Sequence, residues 1–450
     1  MSYNCENHFY DIHCHSFNLA HANITAFVRH FFFPFLGLEH LSVIKKIRLF
    51  FSMPVHLITK ITNVFNLLSL MENDIGNFYL LMEKDILKSK VYREGMKFII
   101  TPLLMDFDAK EKPITRLHYG QAPKKPITEQ LLDILSGIRD YRKLSEKKIM
   151  EIYPFLGINP ANYDFQQLTA VLGKYFSGYV SDYLRFEKKY NQHFPPYGNH
   201  KWKSYNGELE KIGSFYFSGL KLYPPLGFNP WPQSTTEAKK VNYLYQFCCA
   251  REIPITTHCD DGGFEILESE KKDMLTNPYR LWTEVLKHYP NLKINFAHMG
   301  FNKTVPGKIK RFLSRFSLFP KQWNWTKKIL QFIKEYDNVF TDFSCNGFSL
   351  KFYRKLAAII SKAGKKNSKV KERILFGSDF MINLIWINSY EKYLNLYQKS
   401  KALQPYREIF ARDNPFNFLF GKSIKEKACL KYKDEIYYHE CRYCKKLKYK

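Results

Sequence analysis

The stretch Asp11-Ile12-His13-Cys14-His15 decides how the fold and function of this chain are interpreted. It ends a short apolar segment that predicts a β-strand. Side chains two residues apart on a strand point to the same face, so His13 and His15 are expected to present their rings side by side. Two neutral imidazoles in that arrangement suit one divalent metal ion. A His-x-His pair also occurs on ordinary solvated strands, so the metal hypothesis needs further ligands elsewhere in the chain.

Short apolar segments alternate with helical patterns along the rest of the chain, which is typical of a parallel sheet covered by helices. Eight strands are predicted, with carboxyl ends near residues 15, 106, 156, 223, 258, 298, 343 and 379. The fold class we expect is α/β, a (β/α)8 TIM-type barrel with long insertions after strands 1 and 3, at about 18–92 and 161–213. Since both insertions follow strand ends, we expect them to cap the mouth of the barrel.

The 450 residues fit one barrel domain over 1–425, followed by a basic, Cys-containing C-terminal tail at 426–450. Helices are predicted at about 41–51, 55–71, 127–145, 236–251, 278–288, 350–363 and 386–400, with a short closing helix from Asn414. The segment 161–213 is expected to hold a helix and an aromatic loop. The tail contains the four residues of a conceivable zinc knuckle, Cys429, His439, Cys441 and Cys444. Its single Cys-x2-Cys pair favours a flexible basic tail instead.

Four further residues of metal-site type fall at the carboxyl ends of other predicted strands: Lys221, His258, His298 and Asp379. In a barrel those ends converge on one mouth, where the chemistry is built. Each residue alone has an ordinary explanation, as a core histidine, a loop cap or a substrate-binding lysine. Together, metal-type residues at the same end of several separate strands favour one shared site.

The histidines and Asp379 could surround one or two divalent ions, and zinc is the default for such nitrogen and oxygen ligands. A bound zinc ion generates hydroxide from water near neutral pH, and Asp379 is predicted both to bind metal and to take the proton. Lys221 cannot ligate a cation as free ammonium. Carbamylated by CO2 it becomes an anionic oxygen ligand that can bridge two ions, and unmodified it could bind a substrate carboxylate.

The sequence resembles the amidohydrolase superfamily of metal-dependent (β/α)8 barrels, and most of all its amidohydrolase-related branch, which also contains decarboxylases. The matching motifs run in order through about 11–420 and are specific for the superfamily, not for a substrate. They are Asp11-Ile12-His13-Cys14-His15, Gly219-Leu220-Lys221-Leu222-Tyr223-Pro224-Pro225, Ile253-Pro254-Ile255-Thr256-Thr257-His258, Asn295-Phe296-Ala297-His298-Met299-Gly300 and Leu375-Phe376-Gly377-Ser378-Asp379.

This resemblance implies a role for each matching residue. His13 and His15 would hold one metal ion, His258 and His298 the second or shared positions, and Asp379 would be ligand and general base. In mononuclear members of the family His298 instead helps to polarise the substrate. Lys221 stands where binuclear members carry a carbamylated lysine, so the number of metal ions stays open. Two residues are predicted to contact the substrate, Tyr223 in the same motif as Lys221 and Asp342 at the end of strand seven.

A second family shares the opening motif, the polymerase-and-histidinol-phosphatase type of phosphoesterase. Its final motif typically reads Gly-Ser-Asp-x-His, whereas this chain has Gly377-Ser378-Asp379-Phe380-Met381 and lacks the last histidine. The phosphoesterase interpretation is therefore disfavoured. Asp260 and Asp261, just after His258, could line the mouth, but an Asp-Asp-Gly-Gly sequence is more typical of a turn.

Composition limits the partners and the location of the protein. The formal net charge of +27 would suit nucleic acid or an anionic membrane, but the lysines are spread along the chain and no nucleic-acid-binding motif is present. Charged residues interrupt the apolar segment 26–70 before it reaches the about 18–20 apolar residues of a spanning helix, so we expect no transmembrane segment. Nine irregularly spaced cysteines and the lack of a signal peptide predict a cytoplasmic protein.

The function we expect is that of a zinc-dependent hydrolase that cleaves a C–N or C–O bond of a small, anionic substrate. Two alternatives remain open: a metal-dependent decarboxylase on the same site, and a non-catalytic basic barrel that binds nucleic acid or anionic lipid. A homo-oligomer is compatible with either enzyme.

Overall fold

The computed structural model describes residues 7–19, 21, 55–108, 126–195, 207–264, 267–300, 325–364 and 368–421. Three predictions concern residues outside these ranges: the helix at 41–51, the tail at 426–450, and the knuckle formed by Cys429, His439, Cys441 and Cys444. Most of each predicted cap is described, because 55–92 and 161–195 lie inside the ranges. Among the described helices, none is long and apolar enough to cross a membrane.

All described strands are parallel to their neighbours, and nearly every strand residue is buried. Continuous apolar strands of this kind are typical of sheets covered on both faces. The strands are β1 (His8–Cys14), β2 (Lys97–Pro102), β3 (Met150–Ile152), β4 (Phe155–Gly157), β5 (Gly219–Leu222), β6 (Ile255–Thr257), β7 (Ile294–Phe296), β8 (Val339–Asp342) and β9 (Ile374–Leu375). Strands β1 to β3 form one sheet and β4 to β9 the other, each in chain order.

Helical segments follow the strands and complete the α/β fold predicted from the sequence. They are α1 (Val55–Met71), α2 (Ile75–Lys88), α3 (Ile127–Leu144), α4 (Phe165–Phe176), α5 (Tyr183–His193), α6 (Thr235–Arg251), α7 (Ser269–Thr276), α8 (Leu281–His288), α9 (Trp325–Glu335), α10 (Leu350–Gly364), α11 (Tyr390–Lys399) and α12 (Asn414–Phe420). The helices predicted near 55–71, 127–145, 236–251, 350–363 and 386–400 are thus present, as is the closing helix from Asn414.

Backbone hydrogen bonds also join the edges of the two sheets. Leu103, just after β2, bridges to Phe155 on β4, and Cys14 on β1 bridges to Phe380, beyond β9. At the same junction the Ile12 amide donates to the carbonyl of Phe376, at 3.2 Å. The last strand of the second sheet therefore lies beside the first strand of the first sheet. This contact brings the C-terminal motif at 375–379 next to the N-terminal motif at 11–15.

The prediction of a single strand at 149–156 is wrong, because β3 and β4 are separate strands in different sheets. They are separated by Tyr153 and Pro154, and a proline has no backbone N–H to donate to a neighbouring strand. The Pro154 carbonyl still accepts a hydrogen bond from the Ser218 amide, at 2.9 Å. The short interruption thus changes the pairing without breaking the order of the strands.

The sequence analysis predicted one helix within 161–213, where the structure has α4 and α5, and it missed α2; the N-caps of α2 and α4 explain where these helices begin. Asp74 accepts a hydrogen bond from the Asn77 amide at the start of α2, at 2.7 Å. Asp164 and Gln167 form a reciprocal capping box at the start of α4. Such caps satisfy backbone donors that have no partner inside the helix. The predicted insertion at 18–92 therefore contains two ordered helices, α1 and α2, within its described part.

Candidate metal centre

The structure gathers the predicted metal-site residues at the carboxyl ends of the strands. His13 lies on β1 and His15 directly after it, Lys221 lies on β5, and His258 follows β6. His298 and Asp379 lie a few residues beyond β7 and β9. All six side chains are buried. Ring centroids of His13 and His298, and of His298 and His258, are 4.8 Å apart, so histidines distant in sequence are neighbours in space.

The first ligand group consists of His13, His15 and Asp379, whose candidate ligand atoms all lie within 4.8 Å of one another. Asp379 Oδ1 is 3.3 Å from His13 Nε2 and 3.2 Å from His15 Nε2. The opposite ring nitrogens are already engaged, since His13 Nδ1 lies 3.0 Å from Asp342 Oδ2 and His15 Nδ1 lies 3.0 Å from the Leu103 carbonyl. Because those partners only accept, both Nδ1 atoms carry the proton and both Nε2 atoms present a lone pair.

The second group consists of His258, Asp260 and His298. His258 Nε2 lies 2.9 Å from Asp260 Oδ1 and 3.0 Å from the Gly262 carbonyl, so this nitrogen carries the proton. His258 Nδ1 is therefore the lone-pair atom, and it faces His298 Nε2 at 3.2 Å. The two groups meet through the neighbouring rings of His13 and His298.

Asp342 lies beneath both groups and is fully buried. Besides His13, it accepts hydrogen bonds from the His298 amide at 3.0 Å and from Asn295 Nδ2 at 2.7 Å. Although burial opposes ionisation, the interaction with the neighbouring His13, which donates to it, holds the pKa of Asp342 well below its usual range. An ionised carboxylate behind a ligating imidazole fixes the ring orientation and makes it a stronger donor. Its described contacts are those of a group that orients His13.

Asp379 occupies a turn with unusual backbone geometry, at φ 62° in the left-handed region. The hydrogen bonds that hold this turn include the Asp379 amide to the His13 carbonyl at 2.7 Å, the Ser378 amide to Asp11 Oδ1 at 2.9 Å, and the Asn383 amide to the Asp379 carbonyl at 3.0 Å. Left-handed non-glycine residues persist only when their surroundings hold them, and they cluster at functional sites.

Lys221 is the unusual cation of the site. Its Nζ is buried and has no hydrogen-bond partner among the described residues. Burial lowers the pKa of Lys221 to about 8, and the charges of Asp342, Asp379 and Asp260 limit the decrease. Its Nζ lies 5.5 Å from the ring centroid of Tyr223. A buried ammonium without a partner among the described residues is energetically costly.

An aromatic cluster, formed by Phe17, Phe107 and Phe264, lies beside the first ligand group. Its ring centroids are 5.5 to 6.1 Å apart, and the Phe17 ring is 6.0 Å from that of His15. Tyr223 joins the cluster to the second group, because its hydroxyl accepts from the Phe264 amide at 2.9 Å and its ring lies 4.6 Å from that of His258.

The arrangement fits a divalent cation. Asp379 Oδ1 and two imidazole lone pairs converge, and such acceptors repel one another unless a positive charge lies between them. His13 Nε2 is buried and has no hydrogen bond among the described residues. Burial lowers the pKa of His298 to about 3 and also lowers the pKa of His15, so both rings are neutral near pH 7, as ligation requires. For His13, burial acts in the same direction, but the charge of Asp342 outweighs it and raises the pKa. Cys14, which lies between His13 and His15 in the sequence, belongs to none of the ligand groups found among the described residues.

Sequence reasoning missed three residues of the site. Asp260 does form the predicted turn, since the Gly262 amide donates to its Oδ1 at 2.7 Å, but the same oxygen also faces His258. Ser344 and Asn295 contact Asp342 and carry no recognisable motif. The only available signal was the position of Asn295 and Ser344 beside His298 and Asp342 in the chain.

Comparison with known proteins identifies one family. Residues 207–419 match a family model described as amidohydrolase, and this range includes Lys221, His258, His298 and Asp379. No curated protein matches the chain significantly.

Solved structures resemble the chain at low identity. One is a 5-carboxyvanillate decarboxylase from Novosphingobium aromaticivorans in complex with manganese and 4-hydroxy-3-methoxy-5-nitrobenzoic acid, at 10% identity over 92% of this chain and 97% of that chain, TM-score 0.40. Another is a probable 2-pyrone-4,6-dicarboxylic acid hydrolase from Acinetobacter baumannii with citric acid bound, at 11% identity over 92% and 99%, TM-score 0.42. A third is a dihydroorotase from Campylobacter jejuni, at 14% identity over 76% and 80%, TM-score 0.30.

Proposed function

The resemblance to the amidohydrolase superfamily is confirmed by the family match over residues 207–419, and from that premise we propose a metal-dependent hydrolase. It cleaves a C–N or C–O bond of a small, anionic substrate and uses zinc. The observation that carries this proposal is the convergence of His13 Nε2, His15 Nε2 and Asp379 Oδ1 at 3.2 to 3.3 Å. The protein acts in a reducing, cytoplasmic compartment.

The fold belonging to this proposal is a closed (β/α)8-type barrel with caps at 18–92 and 161–213. Closure is supported by the bridges Cys14–Phe380 and Leu103–Phe155, which connect the edges of the two sheets. In such a barrel the ligand groups lie at the mouth, where enzymes of this fold carry their active sites.

His13, His15 and Asp379 hold the metal ion, with His258 and His298 as further ligands. When bound, the ion supplies a Lewis acid and lowers the pKa of water. Asp379 accepts the proton released there and passes it to the leaving group. Although burial opposes ionisation, the neighbouring rings of His13 and His15 hold the pKa of Asp379 well below its usual range, so it is a carboxylate at neutral pH.

Substrate recognition falls to the side chains around the metal ligands. Lys221 binds the anionic group of the substrate, because its ammonium is buried and lacks a partner among the described residues. Tyr223 and the aromatic cluster contact the apolar part. For Asp342 we propose orientation of His13 in place of the substrate contact expected from the sequence, because its described hydrogen bonds go to protein groups. If Lys221 is instead carbamylated, metal content will depend on added bicarbonate.

The test combines elemental analysis of the purified chain with a screen of amides and lactones. We expect bound zinc, hydrolysis of at least one compound class, and a loss of about 100-fold or more in kcat for Asp379→Asn. Asp140→Asn serves as the matched control, since Asp140 pairs with Arg139 on the surface. A protein that binds no divalent metal, or an Asp379→Asn variant as active as this control, would overturn the proposal.

Decarboxylation is the second candidate, and the buried unpartnered Lys221 favours it because a decarboxylase substrate must bring a carboxylate into the site. The isotope content of the product distinguishes the two reactions. Hydrolysis in 18O-labelled water places the label in the product acid, whereas release of CO2 from a β-keto or aromatic acid leaves the remaining product unlabelled.

A further inference from the structure

We propose that Ser344 is a positioning residue that fixes the ring proton of His298 on Nδ1 and is a second acceptor for that of His13, so that both Nε2 atoms present lone pairs. The inference rests on the proposed metal centre. Ser344 lies two residues beyond the end of β8 (Val339–Asp342) and is fully buried. None of its described contacts is to Asp379.

The number of protons that the Ser344 hydroxyl can donate decides which of its neighbours must donate to it. A serine hydroxyl has one proton to donate and two lone pairs that accept. Ser344 Oγ also hydrogen-bonds to Asp342 Oδ1, and it lies 2.9 Å from His298 Nδ1 and 3.0 Å from His13 Nδ1. Asp342 Oδ1 already accepts from the amides of His298 and Ser344, each at 3.0 Å, so this oxygen is an acceptor and the hydroxyl proton goes to it. The serine oxygen can then only accept from the two imidazoles.

The two histidines depend on this oxygen to different degrees. His13 Nδ1 has a second acceptor, Asp342 Oδ2 at 3.0 Å. Among the described residues, the one additional partner of His298 Nδ1 is the Ser344 main-chain carbonyl, at 3.3 Å. Loss of the hydroxyl should therefore release the His298 proton far more than the His13 proton.

The position of the His298 proton matters because of what lies across the ring. His298 Nε2 faces His258 Nδ1 at 3.2 Å. A proton on His298 Nε2 would be donated to His258 Nδ1. Neither nitrogen would then offer a lone pair to a metal ion. Ser344 thus keeps the second ligand group open for a metal ion.

The direct test reads the tautomers in the metal-free, full-length protein. Long-range 1H–15N spectra of 15N-histidine-labelled protein, at a pH where the imidazoles are neutral, distinguish Nδ1–H from Nε2–H. Signals are assigned with His298→Gln and His13→Gln. In the wild type we expect Nδ1–H for both residues. In Ser344→Ala we expect His298 to move toward Nε2–H while His13 stays. Nε2–H at His298 in the wild type, or unchanged tautomers in Ser344→Ala, would overturn the proposal.

The second readout is affinity for zinc and for manganese, each measured alone by competition with a chelator. We expect Ser344→Ala to weaken binding by about 10- to 100-fold. Ser218→Ala is the matched control: Ser218 is equally buried and donates to the Tyr153 carbonyl at 2.9 Å, but it precedes β5, at the opposite end of the strands from the mouth. An equal loss in both variants would assign Ser344 a merely structural role.

The proposed metal site and the positioning role of Ser344 can be disproved separately. If the wild type binds neither metal, the proposed function fails, while the tautomer spectra still decide the role of Ser344. If the wild type binds metal and Ser344→Ala retains both affinity and tautomers, only the positioning role fails.

Discussion

Two buried lysines of this molecule have nearly the same electrostatics and opposite surroundings. Burial lowers the pKa of Lys221 and of Lys293 to about 8. Lys293, immediately before β7, donates to the Gly421 carbonyl at 2.6 Å and to Ser181 Oγ at 3.1 Å. Lys221, near the carboxyl end of β5, has no hydrogen bond among the described residues. A lowered pKa alone therefore does not separate the lysine of the proposed site from a structural one, and the two differ instead in their hydrogen bonds.

The largest expected effect is on catalysis. Lys221→Met should lower kcat/KM by about 100-fold or more, because the anionic substrate of the proposed reaction loses its charged partner in a buried site. Its melting temperature should stay equal or rise, since an unsatisfied buried charge is removed. Steady-state kinetics and calorimetry on the purified variant measure both quantities. Lys293→Met is the matched control, and an equal loss of kcat/KM there would break the distinction between the two lysines.

The next effect is a pH dependence of anion binding. Lys221 is cationic below its pKa of about 8, so benzoate affinity should be constant below that pH. Above it, affinity should fall about tenfold per pH unit. Benzamide, the neutral counterpart, should bind without this pH dependence. Titration calorimetry from below to above the pKa gives the profile, and a flat benzoate profile would show that Lys221 does not carry the binding charge.

Stability responds to pH in the same window, with a sign that follows from the lowered pKa. Between the folded pKa of about 8 and the ordinary lysine value of about 10.4, the unfolded chain binds more protons, so the free energy of unfolding should rise with pH. Urea unfolding at several pH values measures this slope. Lys221→Met and Lys293→Met should each reduce this slope. An unchanged slope in both variants would contradict the lowered pKa values of the two lysines.

A smaller effect is expected on stability from Lys293→Met alone. The Gly421 carbonyl loses a donor, which should lower the free energy of unfolding by about 1–3 kcal/mol. The activity per folded molecule should match the wild type, because Lys293 lies at the amino end of its strand. Chemical unfolding with activity measured on the same sample separates the two quantities. A large loss of activity at full stability would contradict the assignment.

The smallest effect should come from Ser181→Ala. Ser181 Oγ donates to the Gly421 carbonyl at 3.1 Å and accepts from Lys293, so its loss should lower the free energy of unfolding by about 0.5–1.5 kcal/mol. Ser177→Ala, which removes an exposed hydroxyl contact with Ser214, is the control and should change stability less. If Ser177→Ala lowered the free energy of unfolding more than Ser181→Ala, Lys293 would not be held by Ser181 as described.

The sequence was sufficient to predict the α/β class and the meeting of six site residues, for identifiable physical reasons. Residues two apart on a strand share a face, and parallel strands end on one side, so His13, His15 and Lys221 could be placed before any coordinates. Apolar strands surrounded by helical patterns also made most strand positions predictable. The separation of β3 and β4 at Pro154 could not be predicted, because a proline in a strand can either end the strand or lie at the edge of the sheet.

Other parts of the site depend on contacts that have no local signature. Ser344 and Asn295 are ordinary loop and strand residues until the fold brings them to Asp342. Asp260 was assigned correctly to a turn, yet the turn also directs its carboxylate at His258, which periodicity cannot show. Lys293 resembled any surface lysine, and only its burial against Gly421 distinguishes it.

The left-handed backbone at Asp379 restricts how this protein can diverge. At φ 62° most side chains cost about 1–2 kcal/mol, and only glycine, asparagine and aspartate tolerate the conformation readily. Of these, only aspartate provides a carboxylate. Almost any substitution of Asp379 is therefore expected to lose either the carboxylate or the backbone conformation. If the proposed function holds, new specificities arise from the aromatic cluster and the proposed caps at 18–92 and 161–213, while the turn itself stays unchanged.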